Sequence, residues 1–301
     1  MAQTKIEWTS VVWNPLVGCS RVSEGCRHCY AERQAFRAAA MGISRYDGLT
    51  KKVGGEIRWT GTVNMVESVL EKPLGWKKPR RIFVNSMSDL FHEKALTDWI
   101  RQIFSVMVRA PQHTFQILTK RPERMLDIVG DFRLWEWLSR HHRGQAPTLN
   151  WPLPNVWLGV SVEDQATADE RIPLLLQTPA AVRWVSYEPA LGPVDFERWM
   201  RPRFIPTGEK APWGQDIEET RRLDWIVVGG ESGPGARTFN LDWARQTIAQ
   251  GQAGTIPVFV KQLGSVYQDG DQYRSSLHPK GGDPEAWPAA LRVREYPADR
   301  G

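Results

Sequence analysis

The sequence predicts an α/β fold, a partial or near-complete parallel (β/α) barrel with insertions. Three observations lead there. Short β-branched and aromatic runs recur along the chain, helix-like segments separate them, and the runs are near-continuously apolar, as strands covered on both faces are. About seven such runs occur, enough to curl a sheet into most of a barrel. The chain has 301 residues, 41% of them hydrophobic and 24% charged. That composition is globular, and the length suffices to bury roughly 75% of the unfolded surface.

The first strand lies at Val11–Trp13 and runs into a cysteine-bearing loop. Arg81–Val84 leads into Asn85-Ser86-Met87-Ser88-Asp89, and residues 114–118 lead into Thr119-Lys120-Arg121-Pro122. Residues 156–160 lead into Ser161-Val162-Glu163-Asp164, 182–185 into Ser186-Tyr187-Glu188-Pro189, and 223–228 into Gly229-Gly230-Glu231-Ser232. Residues 257–260 lead into Lys261-Gln262. Between them lie helices at 31–40, 97–108, 122–129, 166–176 and 241–249. The second carries Trp99, Ile100, Ile103, Phe104 and Met107 as one apolar stripe, and the third opens on Pro122, suited to a first helical turn.

Residues 1–264 are therefore read as the barrel domain, with insertions near 130–154 and 201–222. Residues 46–58 lack sheet patterning and read as a further excursion. Residues 265–301 are polar and rich in Gly and Pro, a C-terminal extension expected to pack loosely. No internal repeat accompanies the βα rhythm.

No apolar run approaches the roughly eighteen residues of a spanning helix. The polar start Met1-Ala2-Gln3-Thr4-Lys5 does not resemble a secretory signal, so a soluble, cytoplasmic protein without a membrane partner is expected. A net charge of +5 and fifteen tryptophans admit an anionic, stacking partner such as a nucleic acid or nucleotide. Dispersed lysines and arginines equally suit a solvated surface, and many tryptophans will serve packing.

The tightest chemical constraint is cysteine usage. The chain has only three cysteines, Cys19, Cys26 and Cys29, in a C-x6-C-x2-C loop with Gly18 and Gly25 each preceding one. Three thiolates can hold three corners of a metal centre and leave one open, which suits an iron–sulfur cluster better than a closed structural site. Other readings stand beside it. A disulfide would leave one thiol over, a zinc site would have to recruit His28 directly beside Cys29, and three unrelated buried thiols need no metal. None of the six histidines forms a metal-spaced pair with another, and neither a Ser–His–Asp signature nor a phosphate-binding glycine–lysine loop occurs. Polar residues at the ends of successive parallel strands mark where a barrel places its active site.

Several of these segments resemble the phage-associated three-cysteine-motif family. They are Ile6-Glu7-Trp8-Thr9, Trp13-Asn14-Pro15, the cysteine loop through Tyr30-Ala31-Glu32, and Val84-Asn85-Ser86-Met87-Ser88-Asp89. Leu118 to Pro122, Gly159 to Glu163, Gly229 to Gly233 and Phe259 to Gln262 extend the likeness, which covers about residues 1–265. Genes of that family often lie beside a three-Cys-motif partner protein, which the resemblance brings in as a candidate partner.

The family in turn resembles the radical S-adenosylmethionine (radical SAM) superfamily, whose members place a cysteine loop after the first strand of a partial barrel. The likeness implies a 4Fe–4S cluster on Cys19, Cys26 and Cys29, with S-adenosylmethionine on the open iron. The first cysteine gap is six residues here, against three in the usual superfamily motif. By position, Ser86, Ser88 and Asp89 would receive the cofactor's ammonium group. Lys120, with Arg121, would meet its carboxylate or a substrate phosphate, and Ser161, Glu163 and Glu188 would meet the ribose hydroxyls. Gly229-Gly230 would allow close approach to substrate or adenine, or would simply be a glycine turn. The implied activity is generation of a deoxyadenosyl radical, with a nucleobase, nucleotide or nucleic acid as candidate substrate. The alternative is a non-catalytic zinc or iron–sulfur protein that binds nucleic acid or a partner protein.

Overall fold

Buried β-branched runs become strands, and the apolar stripes between them become the helices that cover those strands. A computed structural model of the chain describes residues 4, 6–142, 149–201, 221–276, 278 and 280–298. It divides into two compact units, one comprising the chain to Leu158 with Thr178–Ala181, the other Gly159–Gln177 and the chain from Val182 onward.

The first unit holds strands β1 (Val11–Trp13), β2 (Leu16–Val17), β3 (Thr50–Val53), β4 (Glu56–Trp59), β5 (Asn64–Met65), β6 (Arg81–Val84) and β7 (Thr114–Thr119). Its helices are α1 (Tyr30–Ala40), α2 (Glu67–Leu70), α3 (Thr97–Arg109), α4 (Pro122–Val129) and α5 (Phe132–His141). β1 pairs in parallel with β6, and β6 with β7, placing Val11 beside Ile82 and Ile82 beside Phe115. α3 buries Ile100, Ile103, Phe104, Val106 and Met107 on one face. Parallel strands put the loops after β1, β6 and β7 on the same side, which is where the cysteine loop lies.

β8 (Val156–Val162), buried along its whole length, begins in the first unit and ends in the second. The second unit continues with α6 (Gln165–Gln177), β9 (Val182–Tyr187), α7 (Glu197–Met200), β10 (Trp225–Gly229), β11 (Phe239–Asn240), α8 (Leu241–Gly254), β12 (Val258–Gln262), β13 (Val266–Asp269) and β14 (Gln272–Ser275). β9, β10 and β12 pair in parallel. The seven-stranded sheet runs β1-β6-β7-β8-β9-β10-β12, in chain order, which makes the fold a partial parallel (β/α) barrel.

Three expectations are corrected. Residues 46–58 are not devoid of sheet, because β3 and β4 form an antiparallel hairpin there. Its strands are short and mostly exposed, so they carry no apolar alternation. The C-terminal extension does not pack loosely. Val293 O accepts from Val260 N at 2.8 Å, Glu295 N donates to Val258 O at 2.9 Å, and Trp287 and Leu291 are buried. The closeness at Gly229-Gly230 is internal to the fold. A Cβ on Gly229 would stand 2.7 Å from Glu188 Oε1, and one on Gly230 2.6 Å from Leu263 O. Most of the 201–222 insertion, and part of the one near 130–154, lie outside the described residues.

Candidate metal and cofactor site

The cysteine loop is fixed at its entry by a glycine. Gly18 has φ +93°, a left-handed conformation, and a Cβ there would meet Thr62 O at 2.1 Å. Its N–H donates to Met87 O at 3.1 Å, and Ser88 Oγ donates to Leu16 O at 2.9 Å, so the loop is stitched to the segment after β6. Inside the six-residue gap, Arg21 forks onto the buried Glu32 of α1 at 2.9 and 2.6 Å, and Glu32 also accepts from Trp59 N at 3.0 Å. Cys26 N donates to Ser23 O and Cys29 N to Cys26 O, which winds the second and third cysteines into successive tight turns. Cys29 caps α1.

All three cysteines are free thiols and half-buried. Burial, with Asp89 adding to it, pushes the Cys19 thiol up to about 12 against the opposing pull of Arg121; Cys29 and Cys26 raise it further, so the three groups sense one another. Burial also raises Cys29, countered by the backbone N–H groups of Ala31 and Glu32 at the start of α1. Without a cation, Cys19 and Cys29 stay protonated at neutral pH.

Beside Cys19 stands a charge network contributed by the loops after β6 and β7. Asp89 is buried, and both its oxygens are fully used. Oδ1 accepts from Phe91 N at 3.0 Å and Thr119 Oγ1 at 2.7 Å; Oδ2 accepts from Lys120 N at 3.1 Å and Arg121 Nη1 at 3.0 Å. Asp89 therefore orients Arg121, in place of the expected ammonium contact. Arg121 also donates to Glu93 Oε2 at 2.8 Å and Ser20 Oγ at 2.7 Å, and its Nη1 lies 3.9 Å from Cys19 Sγ. Burial opposes the Arg121 charge, but Asp89, Cys19 and Glu93 outweigh it and hold the guanidinium firmly protonated.

His92 is wholly buried in the same network. Lys94 N donates to its Nδ1 at 3.1 Å, so Nε2 carries the proton and donates to Ser20 Oγ at 3.0 Å. Ser20 Oγ in turn donates to Glu93 Oε1 at 3.1 Å. That chain of donors runs away from His92, so His92 is not a base toward Ser20 and the pair is not a nucleophile. Burial, followed by Arg121, lowers His92 to about 4 and keeps it neutral.

Of the other sequence-predicted residues, Ser86, Ser88 and Lys120 share the unit of the cysteines. Ser86 Oγ donates to Asn14 Oδ1 at 3.1 Å, its carbonyl accepts from Tyr30 OH at 2.8 Å, and Lys120 Nζ reaches Ser23 Oγ at 3.3 Å. Ser161, Glu163 and Glu188 belong to the other unit. Glu163 is 1% exposed and pairs with the equally buried Arg171 at 3.2 Å, a structural ion pair rather than a ribose contact. Ser161 Oγ donates to Glu188 O at 3.2 Å, and the Glu188 carboxylate holds Lys261 at 3.0 Å above Gly229. Arg21, His92 and Glu93 were not legible as site residues. The one available hint was Glu32, an acid in the first turn after Cys29.

A family model described as a protein of unknown function, DUF5131, matches residues 3–289. The chain belongs to the DUF5131 family. No curated protein and no solved structure matches it. Among the described residues of this DUF5131 protein, no group of three or more His, Cys, Asp or Glu side chains is arranged to hold a single metal ion. A four-iron cluster is a different demand, because each thiolate binds a separate iron. For that group the donor set fits. Three soft thiols outside any disulfide share one loop, with a guanidinium donor at Cys19 and helix N–H groups at Cys29 to offset thiolate charge.

Proposed function

We propose that the Cys19–Cys26–Cys29 loop holds a 4Fe–4S cluster and that the chain is a radical S-adenosylmethionine enzyme. The observation that carries the reading is the gathering of three free thiols where the parallel strands β1, β6 and β7 deliver their loops. Such a cluster, when bound, supplies low-potential electrons for reductive cleavage of the sulfonium. The protein's own part is to hold and shield. Gly18 and the Arg21–Glu32 fork fix the loop, Arg121 and α1 face its thiols, and Lys120, whose Nζ reaches Ser23 Oγ within the loop, is the residue assigned to the cofactor's carboxylate.

The substrate class proposed is a nucleobase, nucleotide or nucleic acid. Its support is the net charge of +5 and the exposed Arg37, Arg45, Lys51 and Lys52 on α1 and the chain through β3. The relation to the phage-associated three-cysteine-motif family, its partner protein and a cytoplasmic location belong to the same proposal and rest on the motifs. Among the described residues, no helix is long and apolar enough to cross a membrane.

Anaerobic reconstitution with iron and sulfide tests the reading. The expected outcome is one four-iron cluster per chain, lost in each of Cys19→Ala, Cys26→Ala and Cys29→Ala, and deoxyadenosine released from S-adenosylmethionine on reduction. Stoichiometric zinc after anaerobic, metal-replete purification would overturn it in favour of a non-catalytic metal protein.

A further inference from the structure

Arg121 is held more firmly than charge balance alone requires. Its five N–H donors are all accounted for. Nε serves Glu93 Oε2 at 2.8 Å, Nη2 serves Ser20 Oγ at 2.7 Å and Ser20 O at 3.4 Å, and Nη1 serves Asp89 Oδ2 at 3.0 Å. The remaining Nη1 hydrogen faces Cys19 Sγ, 3.9 Å away. The side chain is only 10% exposed. Two carboxylates on one guanidinium more than cancel its charge, so what reaches the sulfur is a directed N–H donor, not a free positive field.

We propose that Arg121 is a positioning residue that donates to the Cys19 sulfur and thereby raises the electron affinity of the cluster bound there. The inference rests on the reading of the loop as a cluster site. Hydrogen bonds to ligand sulfurs stabilise the reduced, more negative state, so each one makes the cluster easier to reduce. Asp89 and Ser20 set the aim. Lysine at 121 keeps the charge but has no planar fork to satisfy both carboxylates and the sulfur together.

The test is a reductive titration of the reconstituted protein, followed by paramagnetic resonance. Each dithionite, oxidised with two waters to two bisulfite ions and two protons, gives up two electrons, one to each of two clusters, and no protein bond forms or breaks. Arg121→Lys is expected to retain its iron but to show a reduction equilibrium at least tenfold less favourable, a shift of about 59 mV to more negative potential for one electron. Ser20→Ala, a neutral change that removes one anchor of Nη2, shifts it in the same direction by less. It also decides the matter if Arg121→Lys does not fold. A parent protein that takes up no iron overturns the cluster reading and the inference with it. A parent that holds the cluster, with the folded variants at the parental potential, overturns the inference alone.

Discussion

At position 18 a backbone requirement and a steric one fall on the same residue, and they can be separated by substitution. Gly42 shares the positive φ but has open space where a Cβ would go, whereas Gly18 has Thr62 O at 2.1 Å. Gly42→Ala should cost about 1 kcal/mol, the price of the left-handed conformation. Gly18→Ala should cost about 3 kcal/mol or more, since backbone must also move. Urea unfolding of the two variants side by side measures the difference. Arg21→Ala leaves the buried Glu32 carboxylate with Trp59 N as the one partner of its side chain among the described residues, and a loss of about 3 kcal/mol is expected. Glu32→Gln, which keeps an acceptor for that N–H, should lose less. His92 gives a pH signature. Its folded value is near 4 against 6.5 ordinarily, so between these the unfolded chain binds a proton that the folded protein refuses. Stability from this group is present above pH 6.5 and is lost as pH falls toward 4, with a slope of at most one proton. Denaturation midpoints across that range should fall in the parent and flatten in His92→Gln.

Among the elements, α8 carries two opposite lessons about glycine. Thr255 follows its last turn at φ +53°, where a β-branched residue is strained and glycine is the usual solution. Thr255→Gly should therefore raise the unfolding midpoint, by about 1 kcal/mol of stability. Gly251 looks like the reverse opportunity, since alanine is the better helix former by roughly 1 kcal/mol. A Cβ there would stand 2.4 Å from Val258 Cγ2 of β12, so Gly251→Ala should destabilise instead. Thermal melts distinguish the signs. The same contrast explains what was legible. β8 reads as a strand because every residue in it is buried and only Ser161 is polar; β9 is also buried throughout, and Val182, Trp184 and Val185 carry its signal despite Arg183 and Ser186. The β3–β4 hairpin was invisible because solvent, not a core, faces most of it, and sequence records burial rather than hydrogen bonding.

For the whole molecule, the chain's chemistry was legible only where a rare residue type carries it. Three cysteines in one loop stand out in 301 residues; the Asp89–Arg121–Glu93 clamp does not, because charged residues are common and its members meet through folding of distant segments. The C-terminal extension was misread for a related reason: its polar, Pro-rich composition hides two anchors, Trp287 and Leu291, and a backbone pairing on β12. Arg294 lies over the rings of both Phe259 and Trp287 and donates to Lys261 O at 3.0 Å. Removing residues 283–301 should expose Phe259 and the β12 edge, and light scattering should record self-association of the truncated protein. That pairing also imposes an order on biogenesis. β12 leaves the ribosome before the segment that shields it, so the nascent chain carries a bare strand from the emergence of Gln262 until Glu295 follows, and a pause in that interval is when it is most open to capture by a neighbouring chain.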